Sequence, residues 1–276
     1  MKLTVIGGGG VRSLMLAKSL AQNAKEYNIT HIVFMDNNVQ KLNIFGALAR
    51  EVAIRIMPSL DFTLTTNPVE AIQSADYIIT TIRAGEDDMR IRDERIALAH
   101  NVLGQETTGA AGFSFAMRSV PALAEYCELV RKYANPNAKV FNFTNPAGVV
   151  SQTLRDMGYD FTFGICDAPT GMLRSFAHLY GIAPETVTAT CYGLNHLSFF
   201  NSIQFSGKEM LPTLINDDRI YATTDMRFFS KELTKKMGCI LNEYLYYFFY
   251  REKAVQNILD AHVTRGEVIR DVNKHM

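Results

Sequence analysis

The stretch Leu3-Thr4-Val5-Ile6-Gly7-Gly8-Gly9-Gly10 decides the fold. Its first half reads as a short buried strand, its glycines as a turn in which no Cβ restrains the backbone, and the spacing of Leu14, Leu16, Ala17 and Leu20 beyond them as a helix. A second strand, His31-Ile32-Val33-Phe34-Met35-Asp36, ends on a carboxylate, and Leu42, Phe45, Ala49, Val52, Ala53 and Ile56 give the next helix its buried face. Working outward, residues 77–82, 139–143 and 161–165 read as further strands, with helical sequence at 68–74 and 119–133 between them. Strands separated by helices need right-handed crossovers, so the expected architecture is α/β: a doubly wound, mostly parallel sheet with helices on both faces. Such sheets take ligands at the carboxyl ends of their strands.

Beyond Asp167 the pattern changes. Residues 187–192 and 197–205 read as β segments, and the sequence from Phe228 onward as helical and rich in aromatics. The expected organisation is a dinucleotide-type domain over residues 1–166 and a second, α+β domain over residues 167–276. Disorder is excluded by 47% apolar content in 276 residues. Twenty-eight basic residues against twenty-eight acidic ones leave no field of one sign to attract nucleic acid or an anionic membrane. No apolar run approaches the roughly 20 residues that span a bilayer, and Met1 to Ile6 runs into the glycines without a signal-peptide cleavage region, so a cytoplasmic location is expected. Cys127, Cys166, Cys191 and Cys239 are far apart with no CxxC pair, which argues against a disulfide framework.

Several residues at strand ends could carry chemistry. Gly7, Gly8, Gly9 and Gly10 between strand and helix, with Asp36 closing the next strand, fit a nicotinamide dinucleotide site: glycines admit the pyrophosphate at a helix N-terminus, and the carboxylate accepts from a ribose hydroxyl. Asp36 in place of a basic residue favours NAD over its 2′-phosphorylated form. Arg12 stands where a G-x-G-x-x-G pattern would have its last glycine, and a generic tight turn is the plainer alternative. Arg83, Arg90 and Arg92, just past a buried strand, could clamp an anionic group, although a solvated helix start explains the same mixed charges. The loop Gly104-Gln105-Glu106-Thr107-Thr108-Gly109 and the strand-ending Asn145-Pro146 are placed to line a site. Cys166-Asp167 ends another strand, with His196 beyond it. Thiolate and imidazole suit a borderline transition metal, but the spacing is no metal motif, and a buried cysteine beside a hydrogen-bonded histidine is the plainer reading.

Taken together these residues resemble family 4 of the glycoside hydrolases, the NAD- and manganese-dependent 6-phospho-glucosidases. The resemblance spans essentially the whole chain and rests on the glycines, Asp36, the Arg83 to Glu94 segment, the Gly104 to Gly109 loop, Asn145-Pro146 and Cys166-Asp167-Ala168-Pro169. It continues through Gly193-Leu194-Asn195-His196, Tyr244-Leu245-Tyr246-Tyr247 and Thr264-Arg265-Gly266-Glu267. It implies a Rossmann-like sheet of the lactate/malate dehydrogenase kind, and hydrolysis outside the usual two-carboxylate scheme. NAD would oxidise C3 of the sugar, a base would remove the C2 proton, the glycosidic oxygen would leave by elimination, and water addition and return of the hydride would follow.

Carried onto this chain, the resemblance makes Cys166 and His196 ligands of a divalent metal, Mn2+, and Tyr244 the C2 base. Asp167 becomes the acid for the leaving oxygen, Arg90 and Arg265 the phosphate ligands, and Asn145 a contact to sugar hydroxyls. Tyr244 reads otherwise as a packed aromatic beside Tyr246, Tyr247, Phe248 and Phe249, and a tyrosine pKa of roughly 10 would need depressing by nearby positive charge. The implied substrate is a phosphorylated disaccharide or glucoside. Cys-Asp-x-Pro looks more like the α enzymes, whereas the Asn142 to Pro146 and Gly193 to Phe199 segments look more like the β enzymes, which are favoured. Gly10 departs from the family's usual serine. Family members are longer, so the second domain is expected to be incomplete; a homo-oligomer is expected. Two alternatives stand beside this reading: an NAD-dependent 2-hydroxyacid dehydrogenase, and a non-catalytic NAD-binding fragment.

Overall fold

The structure is a computed structural model and describes residues 1–275. Strands β1 (Lys2–Ile6), β2 (His31–Met35), β3 (Asp61–Thr65), β4 (Tyr77–Thr80), β5 (Lys139–Asn142) and β6 (Thr162–Gly164) form one sheet in the order β3-β2-β1-β4-β5-β6. Every neighbouring pair is parallel. Ile6 is in register with Met35 on one side and Thr80 on the other, so the glycine turn leaves the sheet where the strand order reverses. That switch point is where such sheets open a crevice for ligands.

The period of two explains both covered faces. Val5, Ile32 and Phe34 pack against Ala17, Ala21 and Ala49 of the flanking helices, while Ile6, Val33, Met35 and Ile78 pack on the other side against Ile72 and Val130. Strand β3 escaped the sequence reading. It is an edge strand whose Asp-Phe-Thr-Leu-Thr sequence buries only Phe62 and Thr65, so it lacks the continuous apolar run of its neighbours. The helix Gly109–Tyr133 also starts earlier than expected, because Gly109, Gly112 and Ser114 read as loop residues. Gly112 is a close approach: a Cβ there would lie 2.8 Å from the carbonyl carbon of Thr107.

Contacts between Cα atoms group the chain into Met1–Ile165 with His262–Met276, and Cys166–Ala261. The sequence pattern alone assigns everything after residue 166 to one domain, whereas the final helix groups with the first unit. The helix Arg265–Lys274 meets the helix Glu86–Ala99 through the Arg95–Glu267 and Arg270–Asp88 ion pairs, an Asn273–Asp87 hydrogen bond and a buried hydrogen bond from the Gly266 amide to Glu94.

The unit Cys166–Ala261 has an antiparallel sheet of β7 (Val187–Leu194), β8 (Leu197–Phe205), β9 (Lys208–Glu209) and β10 (Ile240–Leu241), with β8 central. Phe176 of the helix Ala168–Tyr180, Phe200 and Ile203 of β8, and Leu214, Ile220 and Leu241 fill its core. The expected helical stretch beyond Phe228 is interrupted by β10, which is too short to register as an apolar run but adds to the edge of β8. Among the described residues, no helix is long and apolar enough to cross a membrane.

Candidate active site

The glycine turn is built by close approach. The amides of Gly7 and Gly8 donate to the Met35 carbonyl at 2.8 and 2.9 Å, and the amide of Gly9 donates to Asp36 Oδ2 at 2.9 Å. Asp36 Oδ1 accepts from the Asn38 amide, so the carboxylate that closes β2 also holds the turn. Gly7 has φ +99°, and a Cβ on it would come within 2.6 Å of the Thr81 carbonyl oxygen; one on Gly8 would lie 2.6 Å from Phe34 Cβ. Gly10 is different: it is exposed, and a Cβ there meets nothing nearer than 3.7 Å. Gly7→Ala is therefore expected to lose about 1–3 kcal/mol of stability, and Gly10→Ser almost none, on thermal denaturation. Equal melting of the two variants would contradict this turn geometry. The following helix, Ser13–Asn23, starts at Arg12 without a side-chain cap and with no acidic residue in its first turn, which leaves its amide end open to an anion.

Arginines and carboxylates interlock on the helix Glu86–Ala99. Arg90 is 5% exposed, its Nε donates to Glu94 Oε1 at 2.9 Å, and its Nη1 lies 3.2 Å from Glu106 Oε2. Arg83 reaches the same Glu106 oxygen at 2.5 Å and Asp87 at 3.4 Å. Arg92 is exposed and takes no part in these pairs. Gln105 braces the loop that carries Glu106: its Oε1 accepts from the amides of Thr107 and Thr108. Arg265 is exposed in the first turn of the helix Arg265–Lys274, and the amide of its neighbour Gly266 donates to Glu94 Oε2 at 2.8 Å. The segment bearing Arg265 thus lies against Arg90.

Asn145 follows β5, half-buried, before Pro146. Its place depends on a buried polar set that the sequence did not reveal. Thr80 Oγ1 and the Thr144 amide donate to Asn142 Oδ1, and the Ile82 amide donates to Thr144 Oγ1.

In the other unit, Cys166 Sγ and His196 Nε2 are 3.4 Å apart. His196 occupies the turn between β7 and β8 with φ +63°, and Gly193 must be glycine there because a Cβ would fall 2.3 Å from the Leu197 carbonyl oxygen. Tyr244 stacks on the imidazole with ring centroids 3.7 Å apart and planes within 4°. Two buried residues brace this stack. Asn242 follows β10, its amide donates to the Ser198 carbonyl, its Nδ2 donates to Ser198 Oγ, and its Oδ1 accepts from the Tyr244 amide. Tyr244 also touches Tyr247, so the packed-aromatic reading and the stacked position coexist.

The pair meets the geometric demand of a shared ion. Donors at roughly 2.0–2.3 Å from one tetrahedral ion lie about 3.5 Å from each other, and thiolate plus imidazole suits a transition metal while leaving positions for oxygen ligands. Among the described residues no group of three or more His, Cys, Asp or Glu is arranged to hold a metal; Cys166 and His196 offer two donors, 3.4 Å apart. Asp167 is exposed at the start of the helix Ala168–Tyr180, and its side chain does not cap it.

Glu243, beside Tyr244, is half-buried. Burial pushes its carboxyl up from the ordinary 4.5 to about 7, with Asp225 and Asp167 acting in the same sense. The folded chain holds this proton more tightly than the unfolded one. Its stability contribution is therefore full below pH 4.5 and is lost as the pH rises through about 7. In metal-free protein Glu243→Gln should melt higher than the parent at about pH 8 and match it at about pH 4. Parallel melting profiles across that range would mean that Glu243 is solvated.

The sheet and its glycine turn place the chain among the Rossmann-like α/β proteins. More narrowly, it belongs to family 4 of the glycosyl hydrolases: the family profile matches residues 2–182, and the profile of the family's C-terminal domain matches residues 191–276. A 6-phospho-beta-glucosidase of Thermotoga maritima is 29% identical over 100% of this chain and 66% of its own length. A 6-phospho-alpha-glucosidase of Leptotrichia buccalis is 28% identical over 99% of this chain and 66% of its own length. The chain thus spans slightly under two thirds of the length of these curated relatives. The Thermotoga maritima 6-phospho-beta-glucosidase, solved with manganese, NAD+ and glucose-6-phosphate, superposes with a TM-score of 0.89 over 100% of this chain and 66% of that one, at 29% identity. A malate dehydrogenase of Salinibacter ruber superposes with a TM-score of 0.58 at 17% identity, over 95% of this chain and 75% of that one, which establishes a shared fold alone.

Proposed function

We propose that the protein hydrolyses 6-phosphorylated glucosides or disaccharides with NAD and a divalent metal, manganese foremost, and that it favours the β anomer. The observation that carries the reading is the Cys166–His196 pair, 3.4 Å apart, beneath the stacked ring of Tyr244. A 2-hydroxyacid dehydrogenase has no need of this constellation. When bound, NAD supplies a reversible oxidant for the sugar's C3, and the divalent ion supplies a Lewis acid for the neighbouring oxygens.

The chain's own residues do the rest. The Gly7 to Gly10 turn, where missing side chains let the backbone come close, and the Asp36 carboxylate hold the dinucleotide, its pyrophosphate meeting the uncapped start of the helix Ser13–Asn23. Cys166 and His196 hold the ion. Tyr244 accepts the C2 proton once the adjacent ketone has made it acidic, and Asp167, whose carboxyl is not spent on capping its helix, gives a proton to the departing oxygen. Arg90 and Arg265 bind the 6-phosphate, and Asn145 contacts sugar hydroxyls. The assembly is proposed as a cytoplasmic homo-oligomer.

The test is release of p-nitrophenol from its 6-phospho-α- and 6-phospho-β-glucosides with NAD and manganese present. Turnover that needs both additions, faster on the β compound, is expected. Failure on both with metal and NAD bound would overturn the reading, and net accumulation of NADH would favour a dehydrogenase.

A further inference from the structure

The fully buried carboxylate of Glu94, 0% exposed, has no part in the chemistry above. Both of its oxygens are committed: Oε1 accepts from Arg90 Nε at 2.9 Å, and Oε2 accepts from the Gly266 amide at 2.8 Å, across 172 residues of sequence. A buried carboxylate is costly unless it is paired, and an apolar residue would join two helices as well. What the carboxylate adds is geometry. With Nε held by Glu94 and Nη1 by Glu106, the plane of the Arg90 guanidinium is fixed, which matters for a donor that recognises oxyanions by its fork.

Gly266 gives an independent sign of the same contact. It lies in the first turn of a helix with a Thr264–Glu267 capping box, a place where alanine would serve the helix better. A Cβ there would lie 2.8 Å from Glu94 Oε2, 3.0 Å from Ile91 Cγ1 and 3.3 Å from Arg90 Cδ. The glycine admits the carboxylate, and its neighbour is Arg265.

We infer that Glu94 is a positioning residue for a phosphate subsite, holding Arg90 by its guanidinium and Arg265 through the adjacent amide. The inference rests on the reading of Arg90 and Arg265 as phosphate ligands. Inorganic phosphate, glucose 6-phosphate and NAD are titrated calorimetrically into the full chain, its Glu94→Gln variant and its Gly266→Ala variant. Both variants are expected to lose phosphate and glucose 6-phosphate affinity by about tenfold or more, as when a hydrogen bond to a charged group is broken, with NAD affinity unchanged. The Gly266→Ala variant keeps every charge and decides the question if Glu94→Gln does not fold. If the parent binds glucose 6-phosphate and both variants bind it equally well, the positioning role is overturned and the functional reading stands. If the variants lose NAD and phosphate together, Glu94 is only a structural brace. If the parent itself binds neither phosphate nor glucose 6-phosphate, the phosphate reading falls and the positioning role with it.

Discussion

Cys166→Ser is expected to lower manganese affinity by about 100-fold or more and to lower turnover with it, since even residues behind a metal ligand carry 10–100-fold effects. The thiolate is one of only two donors in the pair, and a serine hydroxyl is both harder and far less acidic. NAD affinity should not move. The proposed dinucleotide residues, Gly7 to Gly10 and Asp36, lie in the other structural unit, where Asp36 holds the turn through the Gly9 and Asn38 amides. Manganese and NAD titrations on the variant check both statements. Unchanged manganese-dependent turnover would remove Cys166 from the metal site.

Tyr244→Phe is the second large effect. The substitution keeps the ring that stacks 3.7 Å from His196 and removes only the hydroxyl. Loss of a general base should slow turnover by about 100- to 10,000-fold. The backbone amide bond to Asn242 does not involve the side chain, so the local brace persists and NAD and manganese affinities should stay near those of the parent. Full activity in the phenylalanine variant would show that another group takes the proton.

The legibility of this chain in sequence followed the range of the interactions. The strand, glycine turn and helix around Gly7 could be read because each signal is local: buried β-branched residues, missing side chains, then helical spacing. Strand β3 was lost because an edge strand needs only one packed face. The final helix could not be assigned to the first unit from sequence, since Arg95–Glu267 and Gly266–Glu94 join residues 172 apart. Residues with a chemical signature, such as Cys166, His196 and Arg90, could be named. The pairings that hold them, with Glu94, Glu106, Ser198 and Asn242, could not, because an ordinary carboxylate, hydroxyl or amide becomes informative only when the fold buries it against its partner.

The central claim is that the glycosidic bond breaks by elimination after the C2 proton is removed. Hydrolysis of a 6-phospho-glucoside in D2O, with NAD and manganese, tests it through the hydrogen at C2 of the glucose 6-phosphate released. The account predicts deuterium at C2, because the proton lost to Tyr244 is replaced from solvent when water adds. Product formed with its original C2 hydrogen retained would mean direct displacement and would contradict the account.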